Sequence, residues 1–294
     1  MNNKITVFTK PWDMAIEKLA DLVKEFGVDG VELPVRKGYP VNPDNIASEL
    51  PKAAKLFRDR GLIIGSVAGD TDEKTVAACG DAGIPMIRIC VGIDMKIGYL
   101  AAEKKVRALF DALLPALRKH HVAIGVQNHC DFMIGSAIGL MHLIEEYDPK
   151  EVCAVLDPAH CAVDGEPEAM ALDIVWSHLG MMNFKSASHW RVNGPDEEEA
   201  KWKILWTTAQ HSGYSWRTMV QALRARDYKG TICLPAEYSH PSQPGQLMGD
   251  DAIAPIKKDI AYMKKLLAED GGASTGSANS TGKTSTNWKS SGAK

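Results

Sequence analysis

Eight short apolar runs recur along the chain, each followed by a longer polar–apolar stretch, and this alternation restricts the fold more than any other feature. Ile5–Phe8, Gly30–Leu33, Leu62–Val67, Ile84–Val91, Val122–Gln127, Val152–Asp157, Leu179–Lys185 and Thr231–Ala236 read as buried strands. Between them the spacing turns helical. Asp13–Phe26 carries Met14, Ile16, Leu19, Ala20, Leu22 and Val23 on one side, and Gly27 stops it. Helices are likewise expected over Asn42–Arg60, Thr71–Ala82, Leu100–His120, Ser136–Tyr147, Pro167–Ile174, Tyr214–Arg226 and Ala252–Ala268. Eight such units in about 270 residues predict a single closed (β/α)8 barrel, a TIM barrel, over residues 1–270. The rival is an open doubly wound sheet, which would carry a Gly-rich phosphate turn after its first strand. That turn here reads Thr9-Lys10-Pro11-Trp12, so neither the open sheet nor a nucleotide cofactor is expected.

Three segments stand apart from the alternation. Residues 271–294 are rich in Gly, Ser, Thr, Asn and Lys, with Trp288 almost the only apolar side chain, and predict a disordered tail. Ala187–Gly213 is a long loop between the seventh strand and its helix. It carries Trp190, Trp202 and Trp206, rings suited to lining or covering a sugar. Pro235 lies in the eighth strand but has no N–H for the ladder, so a bulge or a strand end is expected there.

Charge and cysteine usage narrow the function classes. The net charge of -3 gives no basic balance for nucleic acid. No apolar run approaches the ~18 residues of a membrane span, and the N-terminus leads straight into a strand without a signal-peptide pattern. Six scattered cysteines, none in a CxxC pair, fit free thiols in a reducing cytoplasm. The sequence leaves a homo-oligomer open.

Chemistry in such a barrel sits where the strands end. Lys10 ends the first strand. Glu32 ends the second, with Arg36 beyond it, and Gln127-Asn128-His129 ends the fifth. Asp157 and His160 follow the sixth, Asn183 and Lys185 the seventh, and Glu237, Tyr238 and His240 the eighth. The run Asp157-Pro158-Ala159-His160 aims a carboxylate and an imidazole into one place, with Pro158 fixing the exit of the loop. A plainer reading makes Asp157 a helix cap and His160 a surface residue. Polar groups ending six of eight strands on one face argue for a site.

Four of these stretches carry a resemblance. Gly27–Leu33, Gln127-Asn128-His129, Asp157-Pro158-Ala159-His160 and Ala236-Glu237-Tyr238 together resemble the xylose-isomerase-like barrels, the sugar phosphate isomerases and epimerases. The resemblance covers about residues 4–268. It implies a divalent metal held by the positions of Gln127, Asp157, Asn183 and Glu237. The family has Glu and His where this chain has Gln127 and Asn183. Neutral oxygen ligands suit Mg2+ or Mn2+ better than zinc, so the resemblance implies either a weakened hard-metal site or a metal-free one. Asp157 and Glu237 should then lie close enough to share one cation.

The resemblance also implies proton abstraction beside a carbonyl. The family's epimerases use the fifth- and eighth-strand carboxylates on opposite faces of the substrate carbon. Gln127 cannot accept a proton, which leaves Glu237 as base. Lys185 would stabilise the enediolate or act as acid, and His160 would hold a hydroxyl. Glu32, Arg36, His129, Lys10 and Trp190 would bind the rest of a small carbohydrate, Arg36 or Lys10 taking an anionic or polyhydroxyl end. The chemistry expected is a sugar isomerase or epimerase. The same enolate also serves a lyase or dehydratase on a keto-sugar, keto-inositol or keto-glycoside. A carbohydrate-binding barrel without catalysis is the third class. The superfamily's apurinic endonucleases need a three-zinc cluster, for which these strand ends offer too few ligands.

Overall fold

A computed structural model describes residues 1–211, 213–240 and 245–269 of the chain. The expected tail, 271–294, lies outside the described residues. Eight parallel strands close into a barrel: β1 (Ile5–Phe8), β2 (Gly30–Pro34), β3 (Ile63–Ala68), β4 (Met86–Cys90), β5 (Ala123–Gln127), β6 (Val152–Leu156), β7 (Leu179–Asn183) and β10 (Thr231–Pro235). β10 closes the ring on β1 with Ile5 opposite Ile232 and Phe8 opposite Pro235. The outer helices are α1 (Ile16–Phe26), α2 (Ile46–Asp59), α3 (Glu73–Ala82), α4 (Tyr99–His120), α5 (Ala137–Ile144), α7 (Glu168–Val175), α8 (Trp216–Ala225) and α9 (Ile253–Ala268). Among the described residues no helix is long and apolar enough to cross a membrane.

Helical periodicity sets the outer core. In α1 the buried face is Leu19, Ala20, Val23 and Phe26, at i, i+1, i+4 and i+7. Burying each large apolar side chain stabilises the fold by about 1.5–3 kcal/mol before entropy is counted. Gly27 ends α1 at φ +64°, a conformation a side chain would strain, and its N–H bonds to Lys24 O. The strands alternate, so every second residue enters the lumen. There Phe8, Ala68, Val155, Met181 and Cys233 form a separate inner core with Met86. A side chain at Gly125 would meet Met86 Sδ at 2.7 Å and Val155 Cγ2 at 2.8 Å, so the lumen is filled at that level without it. Pro235 is the last residue of β10, the strand end expected of a residue with no ladder donor.

The connections after β6 and β7 differ from the expected loops. Pro158 does not fix a loop exit. It is the first residue of a short helix, α6 (Pro158–Asp164), where a missing N–H costs nothing. The segment after β7 is not simply a long loop. It pairs β8 (Ser186–Arg191) with β9 (Trp202–Thr207) as an antiparallel ribbon with Ala187 opposite Trp206 and Trp190 opposite Lys203. Ser239 holds the ribbon over the barrel mouth: Trp206 N donates to Ser239 Oγ at 2.9 Å and Ser239 N to Trp206 O at 2.9 Å.

Candidate active site

Alternation alone brings the chemistry to one end of the lumen. Cys233 pairs with Asn183 and lies in the inner core, so Asn183, Lys185 and Glu237 follow it on the lumen side. Phe8 likewise passes its parity to Lys10, and Val155 to Asp157. Two polar levels result.

The lower level is a buried ion pair. β2 runs two residues past Glu32, which therefore sits below the mouth rather than at the strand end. Its Oε1 accepts from Arg88 Nε at 2.8 Å and from Ser66 Oγ at 3.0 Å. Arg88 Nη1 donates to Gln127 Oε1 at 2.8 Å. An arginine can only donate, so the oxygen of the Gln127 amide must face it. The amide nitrogen then points up and donates to Asp157 Oδ2 at 2.8 Å.

The upper level is built from two carboxylates and two ammonium groups. Lys185 Nζ lies 2.9 Å from Glu237 Oε2 and 3.5 Å from Asp157 Oδ2. Lys10 Nζ takes the other oxygen of Glu237 at 2.7 Å and donates to Gln246 Oε1 at 2.9 Å. Burial alone would push Glu237 up, but Lys185 and Lys10 outweigh it and hold the carboxyl well below its usual range. Burial pulls Lys185 down, but Glu237 and Asp157 prevail and its pKa stands raised. Asp157 is pushed up to about 6, by burial first, with Lys185 opposing and the charge of Glu237 adding. Its Oδ1 also accepts from Ala159 N, so Asp157 does cap α6 as the plainer reading had it. Asn128 fixes its backbone, accepting from Asp157 N at 2.7 Å and donating to Asp157 O at 3.1 Å.

His160 is fully buried, contrary to the surface position that reading gave it. Cys130 N donates to its Nδ1 at 3.1 Å. In the neutral ring the proton is therefore on Nε2, which makes no hydrogen bond among the described residues and lies 3.7 Å from Asp157 Oδ2. Burial, followed by the charge of Lys185, lowers the His160 pKa and keeps the ring neutral. His129 stacks 3.9 Å from it and is lowered by burial as well. Trp206 covers the upper level: its ring lies 4.3 Å from Lys185 Nζ and 5.0 Å from the His160 ring.

The sequence-derived residues thus separate. Gln127, Asp157, His160, Lys185, Glu237 and Lys10 converge, with His129 beside them. Asn183 is buried at the same end, and neither of its amide atoms has a hydrogen-bond partner among the described residues. Glu32 lies one level below. Arg36 is exposed, 5.6 Å over the Phe8 ring. Strand alternation puts Trp190 on the ribbon face opposite Trp206, where it is 60% exposed. Sequence reading missed Arg88. Its signal was a lone arginine inside the apolar strand Met86-Ile87-Arg88-Ile89-Cys90. Arg88 and Cys90 also border a cleft of about 630 Å³ that Arg36 and Lys37 line as well.

The donor set fits the expected metal poorly. Asp157 and Glu237 do share one cation, and it is the Lys185 ammonium. Gln127 presents its nitrogen there. A dication within about 4 Å of that ammonium would meet repulsion on the order of 8 kcal/mol at an effective dielectric near 20. The charged side chains already balance, Lys10, Lys185 and Arg88 against Glu32, Asp157 and Glu237. A second candidate group, His129, Cys130 and His160, brings its ligand atoms within 4.8 Å of one another. The proton on His160 Nε2 removes that lone pair, and burial pushes the Cys130 thiol up to about 12.

A closed (β/α)8 barrel with a polar, charge-balanced site at the C-terminal mouth belongs to the enzyme-bearing class of that fold. The chain is a member of the xylose isomerase-like TIM barrel family, which it matches over residues 20–266. Among solved structures it is similar to the 3-keto-D-glucoside 4-epimerase of E. coli, at 15% identity and TM-score 0.67, over 90% of this chain and 100% of that one. A probable 3-DHS dehydratase of Bacillus anthracis matches at 13% identity and TM-score 0.63, over 89% and 98%. A xylose isomerase-like barrel protein of Mycobacterium smegmatis in complex with magnesium matches at 15% identity and TM-score 0.61, over 90% and 97%. At these identities the likeness concerns the fold. No curated protein matches the sequence.

Proposed function

We propose that this chain is a sugar isomerase or epimerase that removes a proton α to a carbonyl of a keto-sugar or related carbohydrate. The observation that carries the reading is the Glu237 carboxylate at the barrel mouth, held between the ammonium groups of Lys10 and Lys185. Glu237 takes the proton from carbon. The electron pair of that C–H bond moves into the carbonyl, and the resulting enediolate oxygen accepts from Lys185 Nζ and His160 Nε2–H. In the free protein the two lysines make Glu237 a weak base. A substrate oxygen that engages either ammonium weakens its hold on the carboxylate and raises its basicity as the complex forms. Preorganised donors in a closed mouth are the largest single source of such rate enhancement. Arg36, on the cleft that Arg88 and Cys90 border, would take an anionic or polyhydroxyl end.

Gln127 decides between outcomes of the enediolate. With no carboxylate on β5, one base must both remove and return the proton, which favours a shift of the carbonyl over two-base epimerisation. The same arrangement supports a second reading, loss of a β-hydroxyl with a proton from Lys185, the chemistry of a dehydratase. The test is incubation of the unmodified protein with a panel of keto-sugars, keto-inositols and keto-glycosides in deuterated water, followed by proton NMR. Loss of the signal beside the carbonyl is expected, with an isomer supporting the first reading and an unsaturated ketone the second. If no panel member exchanges while sugars still bind, the barrel is a binding protein.

A further inference from the structure

We infer that Lys185 is the cation of this site, a covalently tethered replacement for a divalent metal, and that the barrel works without one. The inference deepens the reading just given, since it concerns the same side chains, but its test reads metal binding and not turnover. Asp157 and Glu237 come from β6 and β10 ends on either side of β7, and a cation between them must neutralise both. Lys185 reaches that point from the β7 end itself, 2.9 Å from one carboxylate and 3.5 Å from the other. It is not a surface side chain that has folded in. Its side chain is 4% exposed, and Tyr214 Oη donates to its backbone carbonyl at 3.1 Å. Trp206 closes over the ammonium.

The neighbours agree with an ammonium and not with a metal. A metal between these carboxylates would want the Gln127 oxygen, but Arg88 holds that oxygen from below, so Gln127 offers a donor. An N–H donor facing Asp157 supports a carboxylate already paired with a lysine and gives a metal no ligand. Lys10 occupies the outer oxygen of Glu237, so both oxygens of that carboxylate are engaged by ammonium groups. The electrostatic role a divalent ion would have, holding negative charge as it grows on a substrate oxygen, passes to a group that no chelator removes.

The experiment is a titration of purified, chelator-treated protein with Mn2+, following free Mn2+ by EPR and melting temperature in parallel. The unmodified protein should leave Mn2+ free and its melting temperature unmoved. Lys185→Ala opens the space between the two carboxylates and should bind one Mn2+ at least roughly 100-fold more tightly than the unmodified chain, with a rise in melting temperature. Because two buried carboxylates without their lysine can unfold the chain, Lys185→Ala with Gln127→Glu serves as the second variant. Its folding is checked by circular dichroism in the presence of Mn2+. One tight Mn2+ in the unmodified protein, lost in Asp157→Asn, would overturn the inference whatever the variants do. So would two folded variants that bind no Mn2+, since the lysine would then not be what keeps the ion out.

Discussion

Lys185 and Glu237 meet at 2.9 Å in the barrel mouth, and each sets the state of the other. The carboxylate keeps the buried lysine charged. The lysine, with Lys10, keeps the carboxylate ionised where burial alone would protonate it. The pair thus sets an ionised carboxylate beside a fixed positive charge at the barrel mouth.

Trp206, and not Trp190, should matter to substrate handling. Trp206 faces Lys185 at 4.3 Å, whereas Trp190 is on the outer face of the ribbon. A cation–π contact of about 1–2 kcal/mol in a partly desolvated place corresponds to roughly tenfold. Trp206→Ala should lower kcat/KM by about that factor, and Trp190→Ala should leave it within about twofold. Equal losses in steady-state assays of the two variants would show that the ribbon acts through its fold and not through one ring.

The Glu32–Arg88 pair should prove structural in a double-mutant cycle. Both side chains are buried, at 2.8 Å, and removing one leaves an uncompensated charge. Arg88→Met alone should cost about 3–5 kcal/mol in chemical denaturation. Glu32→Leu combined with Arg88→Met should cost clearly less than the two single losses together. Strict additivity would mean that the pair carries no coupling.

Most of this site is legible in the sequence, and the parts that are not have physical reasons. The convergence of Asp157, His160, Lys185 and Glu237 is legible because polar groups gather at barrel strand ends and these residues stand just past apolar runs. Glu32 lies one level below the strand end its sequence position suggests, because β2 continues through Leu33 and Pro34 and composition does not mark where pairing stops. Arg88 escaped because a strand pattern gives the face a residue points to but not its height in the lumen. That Trp206 and not Trp190 faces the site is not legible, because the face of a ribbon strand is decided by its pairing partner. The weakened metal site was read from residue types, whereas the way the Gln127 amide is turned depends on Arg88, a contact across the lumen.

Stability should change with pH in a definite sense at Asp259, which accepts from Ala209 N and Tyr238 Oη, each at 2.9 Å. Burial raises its carboxyl from 3.8 to about 6 against those two hydrogen bonds. The folded chain therefore keeps a proton that the unfolded chain has already released. This group favours the fold fully below about 3.8, and the contribution is lost as pH rises through about 6. Asp157 acts with the same sign in the same window, while Glu237, held low, contributes above 4.5 and loses that as pH falls. Asp259→Asn removes one of these slopes. Between about pH 4 and 6 the stability gap between variant and unmodified protein should change by up to about 3 kcal/mol in denaturant titrations. Parallel curves would mean that Asp259 ionises normally.

The central claim is that Glu237 removes a proton from carbon while Lys185 holds the charge that forms. The rate at which solvent deuterium enters the position beside the substrate carbonyl measures that step alone, whatever the product. Glu237→Gln keeps size and hydrogen-bonding reach but not basicity. It should still bind substrate and should lose exchange by roughly 10² to 10⁴-fold, the range of a general base. Exchange at the unmodified rate in Glu237→Gln, with its abolition in Lys185→Met or His160→Ala, would contradict the account and assign the base elsewhere.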